Sequence, residues 1–305
     1  MDDKLDFTLW PACVKTHGFG DQLRAAVAGG FEVLPIGPLT WRGLRDSGLS
    51  SADIVAMAAD QGIRLGHYDG FTDWAPERFA ADLPEPAKAV FDVSAEQCLE
   101  ICDQLGLDAI CATGAFRPGA WPLSALVDGF AAFCEKAAAA NIRVDLEFIP
   151  LWGIPSLALA FDIVRGAGAA NGGILFDTWH FFRGDADLAL LERIPPGVIR
   201  TLQLADGAAR PRGESLFEDC LRYRQLPGEG DLDIGRVLRI LAAKGGVTSI
   251  GPEIFSDELD RLEPTRAGQQ TASACARVLR RAGWSLFDGP GEGAIRAAGR
   301  GADPA

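Results

Sequence analysis

The chain has 305 residues, of which 48% are hydrophobic, and a formal net charge of −13 at pH 7. This length fits one α/β barrel of about 250 residues with extensions, and the acidic balance argues against a nucleic-acid partner. No apolar stretch is long enough to cross a membrane, and the acidic N-terminus lacks the basic start of a signal peptide, so we expect a cytoplasmic protein without a membrane anchor.

Eight apolar runs along the chain have the pattern of buried strands. The predicted strands cover residues 5–10, 31–37, 63–71, 108–116, 142–150, 173–181, 199–207 and 247–255. The segments between them favour helices: residues 50–62, for example, begin with a serine that can cap a helix and end in glycine.

This alternation predicts an α/β protein with a single (β/α)8 TIM barrel over residues 1–287. A doubly wound open sheet is the alternative, but eight units without a glycine-rich phosphate loop after the first strand argue against it. The tail, residues 288–305, is rich in glycine, alanine and proline, and we expect it to be disordered outside the barrel.

Polar side chains stand near the carboxyl ends of the last four predicted strands: Glu147, Asp177, Gln203 and Glu253. In a TIM barrel these ends face one mouth, and three carboxylates meeting there would repel one another unless a cation lay between them. The pattern therefore predicts one divalent metal, Mn²⁺ or Mg²⁺ on oxygen ligands, with Co²⁺ or Zn²⁺ left open by the nearby His180. Taken singly, Asp177 could instead cap the next helix and Gln203 could be a core amide.

With these residues and the segments DTWH (177–180) and RQLPGEGDLD (224–233), the chain resembles the xylose isomerase-like TIM barrels over about residues 5–285. The resemblance implies that the four strand-end residues bind the metal. It also implies that His180 of the Asp-x-x-His motif and Arg224 of the Arg-x-x-Pro-Gly-x-Gly loop bind substrate. Where many members have histidine, this chain has Gln203, whose neutral oxygen favours Mg²⁺ or Mn²⁺ over Zn²⁺ and Co²⁺.

The resemblance implies an isomerase or epimerase that acts on a keto-sugar, cyclitol or related hydroxy-ketone through a metal-bound enediolate. Glu147 and Glu253 are the expected acid/base pair. A lyase, such as an inosose or 3-dehydroshikimate dehydratase, is the alternative because it starts from the same enediolate, and glutamine at position 203 occurs in that branch. A non-enzymatic binding barrel is a further possibility, for which loss of metal would leave ligand binding intact.

Three further residues near predicted strand ends are candidates for substrate binding: His67, Arg183 and Trp10. His67 is interpreted as closing the third strand, Arg183 as a clamp for a carboxylate or phosphate, and Trp10 as part of an apolar wall. The expected partner is therefore a small polyol or keto-acid, and the resemblance also implies a homodimer.

Overall fold

The computed structural model describes residues 5–286 and 295–297. Its main sheet contains eight strands: β1 (Asp6–Phe7), β2 (Val33–Ile36), β3 (Arg64–Phe71), β4 (Ala109–Ala112), β5 (Arg143–Glu147), β6 (Gly172–Asp177), β7 (Ile199–Leu204) and β8 (Ser249–Pro252). All neighbours are parallel, in the order β1-β8-β7-β6-β5-β4-β3-β2. A parallel bridge between Thr8 and Val33 joins the two ends of this sheet. The predicted (β/α)8 barrel is thereby confirmed.

The helices alternate with the strands and surround them. They are α1 (Phe19–Gly29), α2 (Pro38–Asp46), α3 (Ser51–Ala59), α4 (Glu85–Phe91), α5 (Ala95–Leu105), α6 (Leu123–Ala138), α7 (Leu157–Ala167), α8 (Thr178–Arg183), α9 (Leu188–Arg193), α10 (Leu216–Arg222), α11 (Ile234–Lys244) and α12 (Pro264–Arg281). None of the helices in the described ranges is both long and apolar enough to cross a membrane.

Local sequence signals explain where several helices begin and end. The Ser50 side chain accepts a hydrogen bond from the amide of Asp53, and the Asp53 side chain accepts one from the Ser50 amide; this capping box starts α3. At the end of α1, Gly30 adopts a φ of 69°, a left-handed conformation that glycine reaches without steric cost. These short-range devices are the reason that the helix predictions agree with the structure.

Most of the predicted strands extend past the observed carboxyl ends. The fourth, predicted to reach residue 116, ends at Ala112, and the sixth, predicted to reach residue 181, ends at Asp177. The residues that follow are still apolar because they are buried at the mouth of the barrel: Phe116 is 3% exposed, and Trp179 and Phe181 on α8 are fully buried. Apolarity reports burial and cannot by itself separate a strand from the buried loop or helix after it.

The chain after the barrel is described only in part. Trp284–Leu286 forms a short strand, β9, which pairs antiparallel with a second, β10 (Ile295–Ala297). Apart from residues 295–297, the tail that we predict to be disordered, residues 288–305, lies outside the described residues.

Candidate active site

Four side chains at the carboxyl end of the barrel form one buried cluster. Glu147 ends β5, Asp177 ends β6, His180 lies on α8 and Glu253 follows β8. Each offers one atom suited to metal binding, and these atoms all lie within 4.8 Å of one another. The strand ends of β5, β6 and β8 that were singled out in the sequence therefore converge.

Asp177 caps the next helix, as considered from the sequence, and it also lies in the acidic cluster. Its Oδ1 accepts a hydrogen bond from the His180 amide at 2.8 Å and so caps α8, while Oδ2 accepts one from Arg224 at 2.8 Å. Burial alone would raise the pKa of Asp177, but the charge of Arg224, together with His180, holds it below its usual range. Asp177 is therefore a carboxylate at neutral pH.

The Arg224 guanidinium lies inside this cluster and is 2% exposed. Its Nη1 donates to Asp177 and, at 3.2 Å, to both Oε2 and the backbone oxygen of Glu253. Nη2 lies 3.3 Å from both His180 Nε2 and Cys220 Sγ, and Nε donates to the Cys220 carbonyl at 3.1 Å. All five N–H groups of the arginine thus have an acceptor within the protein.

Two aromatic rings hold this guanidinium in place. Its central carbon lies 4.9 Å from the centre of the Trp179 ring and 5.0 Å from that of Phe255. Arginine stacks well on aromatic faces because its planar cation is weakly hydrated. Arg224 is therefore a fixed positive charge among the carboxylates.

His180 is neutral in this setting. Burial, with a contribution from Arg224, lowers the pKa of His180 to about 3. Because a guanidinium can only donate, Nε2 accepts from Arg224 and the ring carries its proton on Nδ1. That Nδ1 has no hydrogen-bond partner among the described residues.

The Gln203 amide is engaged on one side only. Its Nε2 donates to Glu253 Oε1 at 3.0 Å, whereas its Oε1 is buried and has no partner in the described ranges. A buried amide oxygen left unpaired costs about 1–3 kcal/mol, so it calls for a ligand. Gln203 is thus more than a satisfied core amide.

The two glutamates retain their protons more strongly than glutamates in water. Burial, then the charges of Asp177 and Asp69, raise the pKa of Glu147 to about 8. Burial, followed by repulsion from Glu147, raises the pKa of Glu253 well above its ordinary value. Both pKa shifts arise first because burial disfavours the charged carboxylate, and second because one guanidinium offsets only part of the negative charge gathered here.

The donor set fits a divalent cation. If both glutamates ionise along with Asp177, three carboxylates face one guanidinium, and a divalent ion would cancel the two excess negative charges. Carboxylate oxygens and the unpartnered Gln203 oxygen are hard ligands of the kind that Mg²⁺ and Mn²⁺ prefer. His180 is the less available nitrogen ligand, since its Nε2 is already bonded to Arg224.

Sequence reasoning missed Asp69 and Cys111. Asp69 lies on β3 opposite Cys111 on β4, and the Cys111 thiol lies 3.4 Å from Glu147 Oε2. Burial raises the pKa of Asp69 to about 6, and a hydrogen bond from Cys111 opposes this in part. The segment HYDGF does contain an aspartate near a strand end, but the sequence does not show which of its two polar residues, histidine or aspartate, lies beside the other strand ends.

His67 does not lie at the end of its strand, so that expectation is wrong. β3 continues to Phe71, and His67 is two residues before Asp69, one layer deeper in the barrel. Its Nε2 lies 3.1 Å from Thr201 Oγ1 and 3.6 Å from Asp145 Oδ2, and burial lowers the pKa of His67. The histidine thus belongs to a polar network in the barrel interior.

Arg183 is committed to other protein groups. Its Nε donates to Asp219 at 2.8 Å and its Nη2 to the Ala208 carbonyl at 2.9 Å, and its side chain is 4% exposed. These contacts anchor the loop after β7, and no contact in the described ranges joins Arg183 to the acidic cluster. A buried pair of this kind is poorly placed to clamp a substrate anion.

Trp10 is fully buried in a small apolar cluster with Cys111 and Leu175, and its ring centre lies 5.1 Å from that of His67. Its Nε1 has no hydrogen-bond partner among the described residues. Its expected contact with substrate stays a prediction.

The sequence of this chain matches a known protein family and several curated proteins. The family model of the xylose isomerase-like TIM barrel matches residues 21–279. The chain is 27% identical over 226 residues to a 3-dehydroshikimate dehydratase of Pseudomonas aeruginosa, covering 72% of this chain and 33% of that protein. It is 30% identical over 147 residues to an inosose isomerase of Halalkalibacterium halodurans, covering 48% of this chain and 51% of that protein.

The chain therefore spans between a third and a half of the length of these curated relatives. Among solved structures, the IOLI protein with a binding zinc atom superposes with a TM-score of 0.77 at 18% identity, covering 91% of this chain and 99% of that chain. At that identity the likeness shows the fold.

Proposed function

We propose that this chain, which belongs to the xylose isomerase-like TIM barrel family, is a divalent-metal-dependent enzyme that moves a proton on a small hydroxy-ketone. The proton is the one on the carbon next to the ketone. The observation that carries the proposal is the pair of buried glutamates, Glu147 and Glu253, whose raised pKa values arise in one cluster with Asp177.

Glu147, Asp177, Gln203 and Glu253 would hold the metal, with Mn²⁺ or Mg²⁺ favoured by their oxygen atoms. When bound, the ion supplies a Lewis acid that polarises the ketone and makes the neighbouring C–H more acidic. What supports this ligand set is the unpartnered Gln203 oxygen and the convergence of three buried carboxylates whose combined charge one guanidinium cannot balance.

The two glutamates would carry the proton. They come from β5 and β8, three strands apart around the barrel, so they can reach a substrate from different sides. One glutamate takes the proton from carbon, and for epimerisation the other delivers a proton to the opposite face of that carbon. For isomerisation, the former ketone carbon and its oxygen each gain a proton, while the neighbouring hydroxyl loses its own and becomes the new carbonyl. The outcome is isomerisation or epimerisation of a keto-sugar or cyclitol.

His180 would orient the substrate. Its Nδ1–H has no acceptor in the described part of the chain, and the Arg224 bond to Nε2 keeps the proton on Nδ1. A substrate hydroxyl or carbonyl oxygen is a suitable acceptor. Arg224, with all five donors engaged, would act through Asp177 and Glu253 by holding their carboxylates in place.

Dehydration is the second candidate, in which a hydroxyl group leaves after the same proton has been taken. Two observations favour it: Gln203 replaces the histidine of many isomerases, and the match to the dehydratase covers 72% of this chain. The acid needed to protonate the departing hydroxyl would be Glu147 or Glu253.

Solvent exchange tests the shared step. In D₂O with Mn²⁺, the wild type is expected to place deuterium beside the ketone of its substrate, sought among inososes, keto-sugars and 3-dehydroshikimate. Glu147→Gln and Glu253→Gln should each reduce the exchange rate at least about a hundredfold, as expected for loss of an acid/base group. Glu100→Gln, on the exposed face of α5, is the matched control and should keep the wild-type rate.

The product then separates the candidates. Isomers or epimers identify the first function, whereas loss of water from 3-dehydroshikimate gives an aromatic ring that ultraviolet absorbance detects. Full exchange in both glutamate variants would contradict the proposal.

A further inference from the structure

Asp69 is an acidic side chain at the mouth that the metal site does not use. It lies on the inner face of the barrel near the end of β3, in register with Cys111. Asp69 is partly exposed, whereas Glu147, Asp177 and Glu253 are buried. Of the two aspartates that raise the pKa values of the glutamates, Asp69 is therefore the more accessible to a ligand in the mouth.

The carboxylate of Asp69 is short of hydrogen-bond donors. No ion pair in the described ranges includes it, and the donor that contacts it is the Cys111 thiol. That thiol also lies 3.4 Å from Glu147 Oε2, and its single proton can serve one carboxylate at a time. Most of the acceptor capacity of Asp69 therefore remains open.

The backbone around Asp69 is held closely by the neighbouring strand. At Gly37, which follows β2, a Cβ atom would lie 2.6 Å from the Asp69 carbonyl oxygen. The absence of a side chain at Gly37 allows this approach, and it limits how far Asp69 can move.

The two arginines predicted at the mouth are engaged with protein groups: Arg224 uses its five donors within the cluster, and Arg183 is paired with Asp219. Arg117, in the loop after β4, is paired with Asp82. With a divalent ion in place, the three carboxylate ligands and Asp69 still outweigh Arg224 and the ion by one negative charge. A substrate anion would add to that excess.

We propose that Asp69 is a substrate-binding residue that accepts a hydrogen bond from a hydroxyl group of an uncharged polyhydroxylated ketone and disfavours anionic substrates. This inference rests on the proposed function, because it assumes that the substrate occupies the mouth above the metal ligands.

Two ring ketones provide a matched pair of probes: an inosose, which is uncharged, and 3-dehydroshikimate, which carries a carboxylate. Their dissociation constants are measured by calorimetry on the full chain loaded with Mn²⁺, for the wild type, Asp69→Ala and Asp69→Asn. Asp103→Asn, which removes one charge from the exposed face of α5, is the control. Circular dichroism verifies that each variant is folded.

The wild type is expected to bind the inosose more tightly than the anion. Asp69→Ala should weaken inosose binding at least about tenfold, because a hydrogen bond to a charged acceptor is lost. Asp69→Asn retains an acceptor oxygen and should recover part of that loss. Both variants should bind 3-dehydroshikimate at least about threefold more tightly, whereas Asp103→Asn should leave both constants unchanged.

Titration with Mn²⁺ alone distinguishes failure of the proposed function from failure of the role proposed for Asp69. If the wild type binds no Mn²⁺, the proposed function fails and the role of Asp69 with it. If Mn²⁺ binds but the Asp69 variants leave the preference between the probes unchanged, only the role of Asp69 is refuted. Tighter binding of 3-dehydroshikimate than of inosose by the wild type, or binding of neither, refutes it as well.

Discussion

Replacing Glu147 by glutamine should remove a pH-dependent loss of stability from the metal-free protein. The folded chain binds the Glu147 proton with a pKa of about 8, whereas a glutamate in the unfolded chain has an ordinary value near 4.5. Because the folded state holds the proton more tightly, the associated stability is fully present below pH 4.5 and is lost as the pH rises through 8.

The size of the effect follows from the two pKa values. Between pH 6 and pH 8 the unfolded glutamate is ionised, whereas the folded one still binds its proton. Each of these two pH units therefore lowers the free energy of unfolding, and above pH 8 the folded group is ionised as well. Two units at about 1.4 kcal/mol each amount to about 3 kcal/mol of unfolding free energy lost between pH 6 and pH 9.

Urea denaturation of metal-stripped protein at pH 6 and pH 9 measures this quantity. Relative to the wild type, Glu147→Gln should become more stable by about 3 kcal/mol on going from pH 6 to pH 9, because an amide has no proton to lose. Saturating Mn²⁺ should stabilise the wild type most at pH 9, where the ion no longer competes with a proton.

Other groups also titrate in this range, so the comparison is between variants at each pH. Glu100→Gln on the exposed face of α5 is the matched control and should follow the wild type. If Glu147→Gln also follows the wild type at both pH values, Glu147 does not hold a proton in the folded chain and the reasoning on its environment is wrong.

Three further outcomes are expected. Gln203→His should raise the affinity for Zn²⁺ relative to Mn²⁺ at least about tenfold in competition with a fluorescent indicator, because imidazole suits zinc better than an amide oxygen; an unchanged ratio would remove Gln203 from the ligand set. Arg224→Met should lower the free energy of unfolding of the metal-free protein, measured in urea, by about 3–5 kcal/mol, because it leaves the buried Asp177 carboxylate unpaired. Mn²⁺ should restore part of this loss. A loss below about 1 kcal/mol would contradict the role of Arg224 as a fixed positive charge. His67→Gln should leave KM within about twofold of the wild type, because His67 lies a layer below the mouth; a large rise in KM would reinstate it as a substrate contact.

Much of the barrel can be predicted from the sequence because strands and helices depend on local patterns. Continuous apolar runs, serine caps and terminal glycines act within a few residues, and they locate all eight strands and several of the helices between them, although α8 falls partly within a predicted strand. The strand-end residues Glu147, Asp177, Gln203 and Glu253 could be singled out for the same reason. Their convergence follows from the parallel closure of the sheet, which brings all carboxyl ends to one side.

Contacts between side chains on different strands cannot be predicted from local patterns. Whether a polar residue lies at the mouth or one layer deeper depends on where its strand ends and on its register with both neighbours. A sequence read along one chain does not contain that information for His67 or Asp69. Arg224 illustrates the same limit, since its five donors are filled by groups from three separate βα units, between the rings of Trp179 and Phe255. The types of residue at the site are thus set by local sequence, but which of them touch, keep a proton or stay open to a ligand is decided by packing across the barrel, because burial and neighbouring charge are properties of the assembled fold.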